Sequence, residues 1–230
     1  MMNRNFLNLI GLILITIFIV SISQIPTIAT DDKIPFQPHP LPKSLENWQD
    51  SNNQGDYFDQ IEAPNFGHLV FSNFPIKVYI ENPVSDQNWK QIVTSAILKW
   101  DKYLKLNIVE EPQDADIKII RKNPPLDPQK KRASSAETRY QVSVKYTPQG
   151  FPYLSHRFTI WLSPTQTGKY IQAAVLHEFG HALGIWGHSP EPTDVMYFSQ
   201  VREPPPISIR DINTLKRIYQ QPTRLGWPVL

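Results

Sequence analysis

The segment 177–189 contains the side chains best suited to catalysis. His177 and His181 stand four positions apart, so on a helix their imidazoles lie on one face and can bind the same metal ion. Glu178 is rotated one position round the helix, where its carboxylate can touch a water in the ion's open coordination site. His188 follows and offers a third nitrogen. The pattern predicts one catalytic zinc ion on His177, His181 and His188, with Glu178 as the general base.

Three carboxylates compete for the role of third ligand when only residue types are considered. Asp194 follows His188 closely and is the main alternative. Glu191 or Glu203 as third ligand would indicate a different enzyme class, similar to the gluzincins. That alternative leaves His188 and Met196 without a role, and we therefore favour His188.

The amino-acid composition excludes several kinds of catalytic and metal-binding site. The 230 residues include no cysteine, so thiol catalysis, disulfides and cysteine-bound zinc are excluded, and a metal must be held by His, Asp or Glu. The net charge of +2 does not indicate nucleic acid as a partner. Polypeptide is the expected partner, and we expect a monomer.

The N-terminal residues have the pattern of an export signal. Arg4 precedes an apolar stretch over residues 6–22, and residues 27–29 form a small-x-small cleavage site. Residues 1–29 are therefore expected to be a signal peptide, or else an uncleaved N-terminal membrane anchor. In both cases we expect an extracytoplasmic protein, secreted, periplasmic or anchored facing outside.

Residues 30–68 are rich in proline and polar residues and show little periodicity. This composition is typical of a linker. The alternative is an inhibitory pro-segment whose Asp56 reaches the metal. The catalytic domain is expected to span residues 69–230.

Several periodic segments are expected to position the candidate site. The predicted order is strand, helix, several strands, an active-site helix, an irregular segment and a last helix, with Gly184 ending the active-site helix in a left-handed conformation. The predicted strands are 76–80, 106–109, 116–121, 139–146 and 157–162, and the predicted helices are 86–104, about 169–183, and one that begins at Ser208 with a capping box.

These residues resemble the metzincin clan, and within it the matrixin-like zinc proteases, from about Phe74 to Tyr219. The resemblance rests on H-E-x-x-H, Gly184, the later histidine and a methionine-bearing turn at 194–197. It implies an α+β fold with a mixed, mostly parallel open sheet of about five strands and three main helices. It also implies an active-site helix followed by the Met-turn, with Met196 beneath the zinc site.

The sequence departs from the family pattern in the spacing before the third histidine. Three residues, not two, separate Gly184 from His188, although 187–189 match the Gly-His-Ser of matrixins. We expect Gly187 to absorb the extra residue through unusual backbone angles. Matrixins also bind structural zinc and calcium between the third strand and the active-site helix. This segment has few suitable residues, so neither ion is predicted.

The sequence thus predicts a secreted zinc-dependent endopeptidase, a metalloendopeptidase that hydrolyses peptide bonds with metal-activated water. The alternative is a non-catalytic relative that retains zinc and binds peptides. Substrate is expected to pair with an exposed sheet edge formed by residues 139–146.

Overall fold

The computed structural model of the chain describes residues 34–83, 87–125, 135–199 and 205–228. The predicted signal peptide or anchor, most of the loop after Asn123, and Glu203 lie outside these ranges. Within the described ranges, no helix is long and apolar enough to cross a membrane.

Five strands form one mixed sheet in the order β2-β1-β3-β5-β4. β1, β2, β3 and β5 pair in parallel, and β4 runs antiparallel to β5 at one edge. Alternating apolar residues produce these strands: Ile76, Val78 and Ile80 are buried while Lys77 is exposed. The strands are β1 Ile76–Ile80, β2 Leu106–Val109, β3 Ile117–Ile120, β4 Ala136–Tyr146 and β5 Pro152–Leu162.

Three main helices accompany the sheet, and together they confirm the predicted α+β class. A short helix, α1 Lys43–Glu46, precedes them. Ser208 caps the last one, because its hydroxyl accepts the Asp211 N–H while the Asp211 carboxylate accepts the Ser208 N–H. The main helices are α2 Gln87–Ile97, α3 Lys169–Ala182 and α4 Ile209–Tyr219.

The first main helix is shorter than predicted, and residues 98–104 form turns instead. Most backbone N–H groups in this stretch donate to the carbonyl three residues earlier, and not to the one four residues earlier as in an α-helix. The Asp101 carboxylate accepts the Leu106 N–H at 2.9 Å. This local bond competes with helix continuation. Trp100 and Leu104 are nevertheless fully buried, so the periodicity correctly predicted the core residues.

Helix α3 carries the candidate site and is fixed on several sides. It packs against α2, β4 and β5. Val175 and Phe179 are fully buried, each worth roughly 1.5–3 kcal/mol relative to exposure. The indole N–H of Trp100 donates to the Leu176 carbonyl at 3.2 Å. The helix is therefore a rigid platform for the side chains that it presents.

The segment before β1 contributes to the same core. Ile34 and Leu45 are fully buried, and Tyr57 is 4% exposed. The Tyr57 hydroxyl donates to Asp211 Oδ1 at 2.6 Å. The division at residues 68 and 69 stays a prediction, but residues 34–68 supply buried side chains that the linker interpretation did not anticipate.

Candidate active site

Helix α3 brings His177 and His181 to one face, with ring centroids 4.8 Å apart. The helix then ends as the sequence predicted. Gly184 has φ +122°, its N–H donates to the His181 carbonyl, and the Ile185 N–H donates to the Gly180 carbonyl. This pair of bonds is a Schellman motif, and it turns the chain back beneath the two histidines.

The returning chain places His188 beside the helical pair. Its ring centroid lies 5.2 Å from that of His177 and 4.9 Å from that of His181. One ligand atom from each of the three side chains lies within 4.8 Å of the others. Among the described residues, these three form the one group of His, Cys, Asp or Glu side chains able to hold a metal ion.

Backbone carbonyls fix the tautomers of the two helical histidines. Nδ1 of His177 is 2.9 Å from the Val195 carbonyl oxygen, and Nδ1 of His181 is 2.7 Å from that of Ile185. Because a carbonyl can only accept, each Nδ1 carries the hydrogen and each Nε2 keeps a lone pair. Lone pairs on Nε2 are what a metal ion requires, and the carbonyl bonds orient the rings.

The surroundings also favour the neutral imidazoles of His181 and His188. Burial, reinforced by the charges of the other two histidines, holds the pKa of His181 well below its usual value. Burial, together with His177, lowers the pKa of His188 to about 4. Neutral histidines bind metal ions without first losing a proton.

Met196 forms an apolar floor under the active-site helix. It is fully buried, and a Cβ atom at Gly180 would overlap its sulfur. The turn that carries it is closed by the Tyr197 N–H, which donates to the Asp194 carbonyl at 3.1 Å. Asp211 accepts the backbone N–H of Val195 at 3.0 Å and so ties the turn to α4.

Within the described residues, neither of the alternative third ligands, Asp194 and Glu191, joins the three histidines. Asp194 is 1% exposed, accepts the hydroxyl of Ser189, and lies 3.0 Å from Arg210 Nε. Glu191 is exposed and does not join the histidine group. Asp56, which the pro-segment alternative would bring to the metal, pairs with Arg217 at 3.0 Å in this structure.

Gly187 is required for a reason other than the one predicted. Its φ does not lie in the left-handed region, so the extra residue before His188 is not absorbed by unusual angles there. A Cβ atom at this position would instead overlap the carbonyl oxygen of Gln60. Residues 60–62 run alongside the turn, and the Glu62 N–H donates to the Trp186 carbonyl at 2.9 Å.

Glu178 lines two neighbouring cavities. Glu178, His177 and Ala136 line both a cavity of about 220 Å³ and one of about 330 Å³. The smaller continues along the Met-turn, and the larger along residues 186–188 and Glu62. A bound polypeptide that passes Glu178 therefore has space on both sides of this residue.

Two contacts at the site were not predicted from the sequence. Thr138 on β4 donates its hydroxyl to Glu178 Oε2 at 2.6 Å. Residues 60–62 reach the turn before His188 from more than a hundred positions away. Neither contact has a local sequence signal, because both depend on how distant segments pack.

Comparison with known families supports this description. The family model described as Matrixin matches residues 72–220, which include the sheet, the three main helices and all four candidate site residues. A comparison with curated proteins finds no match.

Proposed function

The chain belongs to the matrixin family, and from that membership we propose that it is a secreted zinc-dependent endopeptidase. One zinc ion would be held by His177, His181 and His188. The observation that carries the proposal is the convergence of these three side chains, two from α3 and His188 from the turn after it, within the region that the family model matches.

The donor set fits zinc. All three donors are imidazole nitrogens, and two of them have their lone pairs fixed by carbonyl bonds at the far side of the ring. Three-histidine sites that leave one position open are typical of catalytic zinc. When bound, the ion supplies Lewis-acid polarisation of a carbonyl and lowers the pKa of a water molecule to about 7.

Glu178 is the proposed general base. Its carboxylate takes a proton from the water that attacks the peptide carbonyl and then gives that proton to the leaving amine. The position next to His177, where Glu178 lines both cavities, supports this assignment.

The substrate is proposed to be an extended polypeptide paired with β4. This strand ends the sheet, so its outer backbone groups can pair with an added strand. The two cavities extend from Glu178 in different directions, which suits cleavage within a chain better than removal of a terminal residue.

We propose export on the basis of the sequence pattern over residues 1–29, which act as a cleaved signal or an anchor. Residues 30–68 would then precede a catalytic domain spanning 69–230, in a protein that acts as a monomer. Mass measurement of the exported product distinguishes the two forms, because a cleaved protein begins near Thr30 and an anchored one keeps its first residues.

The proposal is tested with the purified protein and unfolded casein. Cleavage that is abolished by a chelator and restored by zinc is the expected result. A protein that binds one zinc ion per chain but cleaves neither casein nor a peptide library would instead be the non-catalytic, peptide-binding relative.

A further inference from the structure

Thr138 lies against the proposed general base and has no assigned role. Its side chain is buried, 7% exposed, on the edge strand β4. Its hydroxyl oxygen lies 2.6 Å from Glu178 Oε2 and 3.0 Å from the Glu178 carbonyl oxygen. We propose that Thr138 is a positioning residue that holds the Glu178 carboxylate for proton transfer, an inference that rests on the function proposed above.

The hydroxyl of Thr138 has one hydrogen and two acceptors within reach. Both acceptors belong to Glu178, so the hydrogen can bond to only one of them at a time. The bond to the carboxylate is shorter and charge-assisted, and such bonds are about twice as strong as neutral ones. The hydroxyl therefore acts mainly on the side chain of Glu178.

Thr138 is well suited to this role because it is itself rigid. It is β-branched, which restricts rotation about χ1. Its backbone pairs with Ile160 within the β4–β5 ladder, and Ile160 is fully buried. A glutamate side chain, in contrast, has several rotatable bonds whose freedom opposes a single reactive geometry.

The bond fixes the position of one carboxylate oxygen, Oε2, relative to β4. The proton of the attacking water is taken up by the Glu178 carboxylate, held in this position, and later passes from it to the leaving amine. Thr138 keeps its own hydrogen throughout. Because β4 is also the strand proposed to align the substrate, one rigid element sets the position of both the peptide and the base.

Two substitutions at Thr138 distinguish the effect of the hydroxyl group from the effect of side-chain size. Thr138→Val removes the hydroxyl but keeps the shape and the strand preference, whereas Thr138→Ser keeps the hydroxyl. We expect kcat to fall by roughly 10–100-fold in the Val variant, the range typical when outer-shell positioning is lost. KM should stay within about twofold, and the Ser variant should recover most of the rate, because the hydroxyl alone orients the base.

Zinc content and thermal unfolding are measured on the same three proteins. Both are expected to match the parent, because Thr138 is not a proposed ligand. A Val variant as fast as the parent, a Ser variant as slow as Val, or a loss of zinc or stability that accounts for the lost rate would overturn the positioning role alone. A parent that binds zinc and cleaves nothing would overturn the proposed function, and this inference with it.

Discussion

Gln60 and Gly187 approach so closely that a Cβ atom on Gly187 would overlap the carbonyl oxygen of Gln60. Ile61 and Gly187 also form an isolated antiparallel bridge. The segment before the sheet thus supports the turn that delivers His188, one residue later. The position of His188 depends on a contact between two parts of the chain that are remote in sequence.

Substitution of Gly187 by Ala should therefore damage the metal site. The added methyl group forces residues 60–62 or His188 to move, because backbone atoms cannot yield as a flexible side chain does. We expect weaker zinc binding and lower activity. Competition with a chromogenic chelator measures the zinc affinity. Gly150→Ala is the control, because a Cβ there meets nothing within 4 Å, although its positive φ lowers stability. Equal zinc affinity in the Gly187→Ala protein and the parent would contradict this expectation.

His188 and Asp194 are predicted to differ sharply in their effect on zinc. His188→Ala removes a proposed ligand, and zinc affinity should fall by more than the ~10–100-fold typical of outer-shell losses. Asp194→Asn should keep zinc but lower the unfolding temperature, because the carboxylate pairs with Arg210 and is 1% exposed. Both variants are compared with the parent by zinc titration and thermal unfolding. Zinc loss in Asp194→Asn alone would assign the third ligand to Asp194.

Local patterns predicted the strands, the main helices and the residues of the candidate site. The His177 and His181 spacing, the Gly184 terminus and the Ser208 cap each depend on neighbours within a few positions, and all of them are found in the structure. Long-range packing could not be predicted in this way. No periodicity indicates that Tyr57 would bond to Asp211, since the sequence around Tyr57 is polar and irregular.

Tyr57→Phe should destabilise the fold without altering the metal ligands. The variant leaves buried Asp211 without its shortest hydrogen bond, from the Tyr57 hydroxyl at 2.6 Å. Removal of a donor to a buried charged group costs about 1–3 kcal/mol. Urea unfolding measures the change, and Tyr146→Phe is the matched control because Tyr146 is 68% exposed. Identical midpoints for all three proteins would show that the hydrogen bond from Tyr57 to Asp211 contributes nothing to stability.

His156 should make the protein sensitive to acid. Burial, with a smaller effect of the Lys145 charge, lowers the pKa of His156 to about 3. Between about pH 6.5 and 3 the unfolded chain holds a proton on His156 that the folded chain does not. The free energy of unfolding therefore falls as the pH falls, by up to about 1.4 kcal/mol per pH unit from this residue.

The variant that tests this prediction is His156→Phe, because an aromatic ring at this position can still pack against the rings of Phe71 and Phe158. It takes up no proton in either state, so it should lose less stability than the parent between pH 7.5 and 4.5. Urea unfolding of both zinc-free proteins over this range tests the expectation. Parallel curves of stability against pH would contradict it.

The most direct test of the account compares the parent with Glu178→Ala, in zinc content and in casein cleavage measured on the same samples. We predict one zinc ion per chain in both proteins and a rate of cleavage roughly 10²–10⁴-fold lower in the variant, because the three histidines remain while the base is lost. A variant that binds zinc and cleaves casein as fast as the parent would contradict the assignment of Glu178 as the general base.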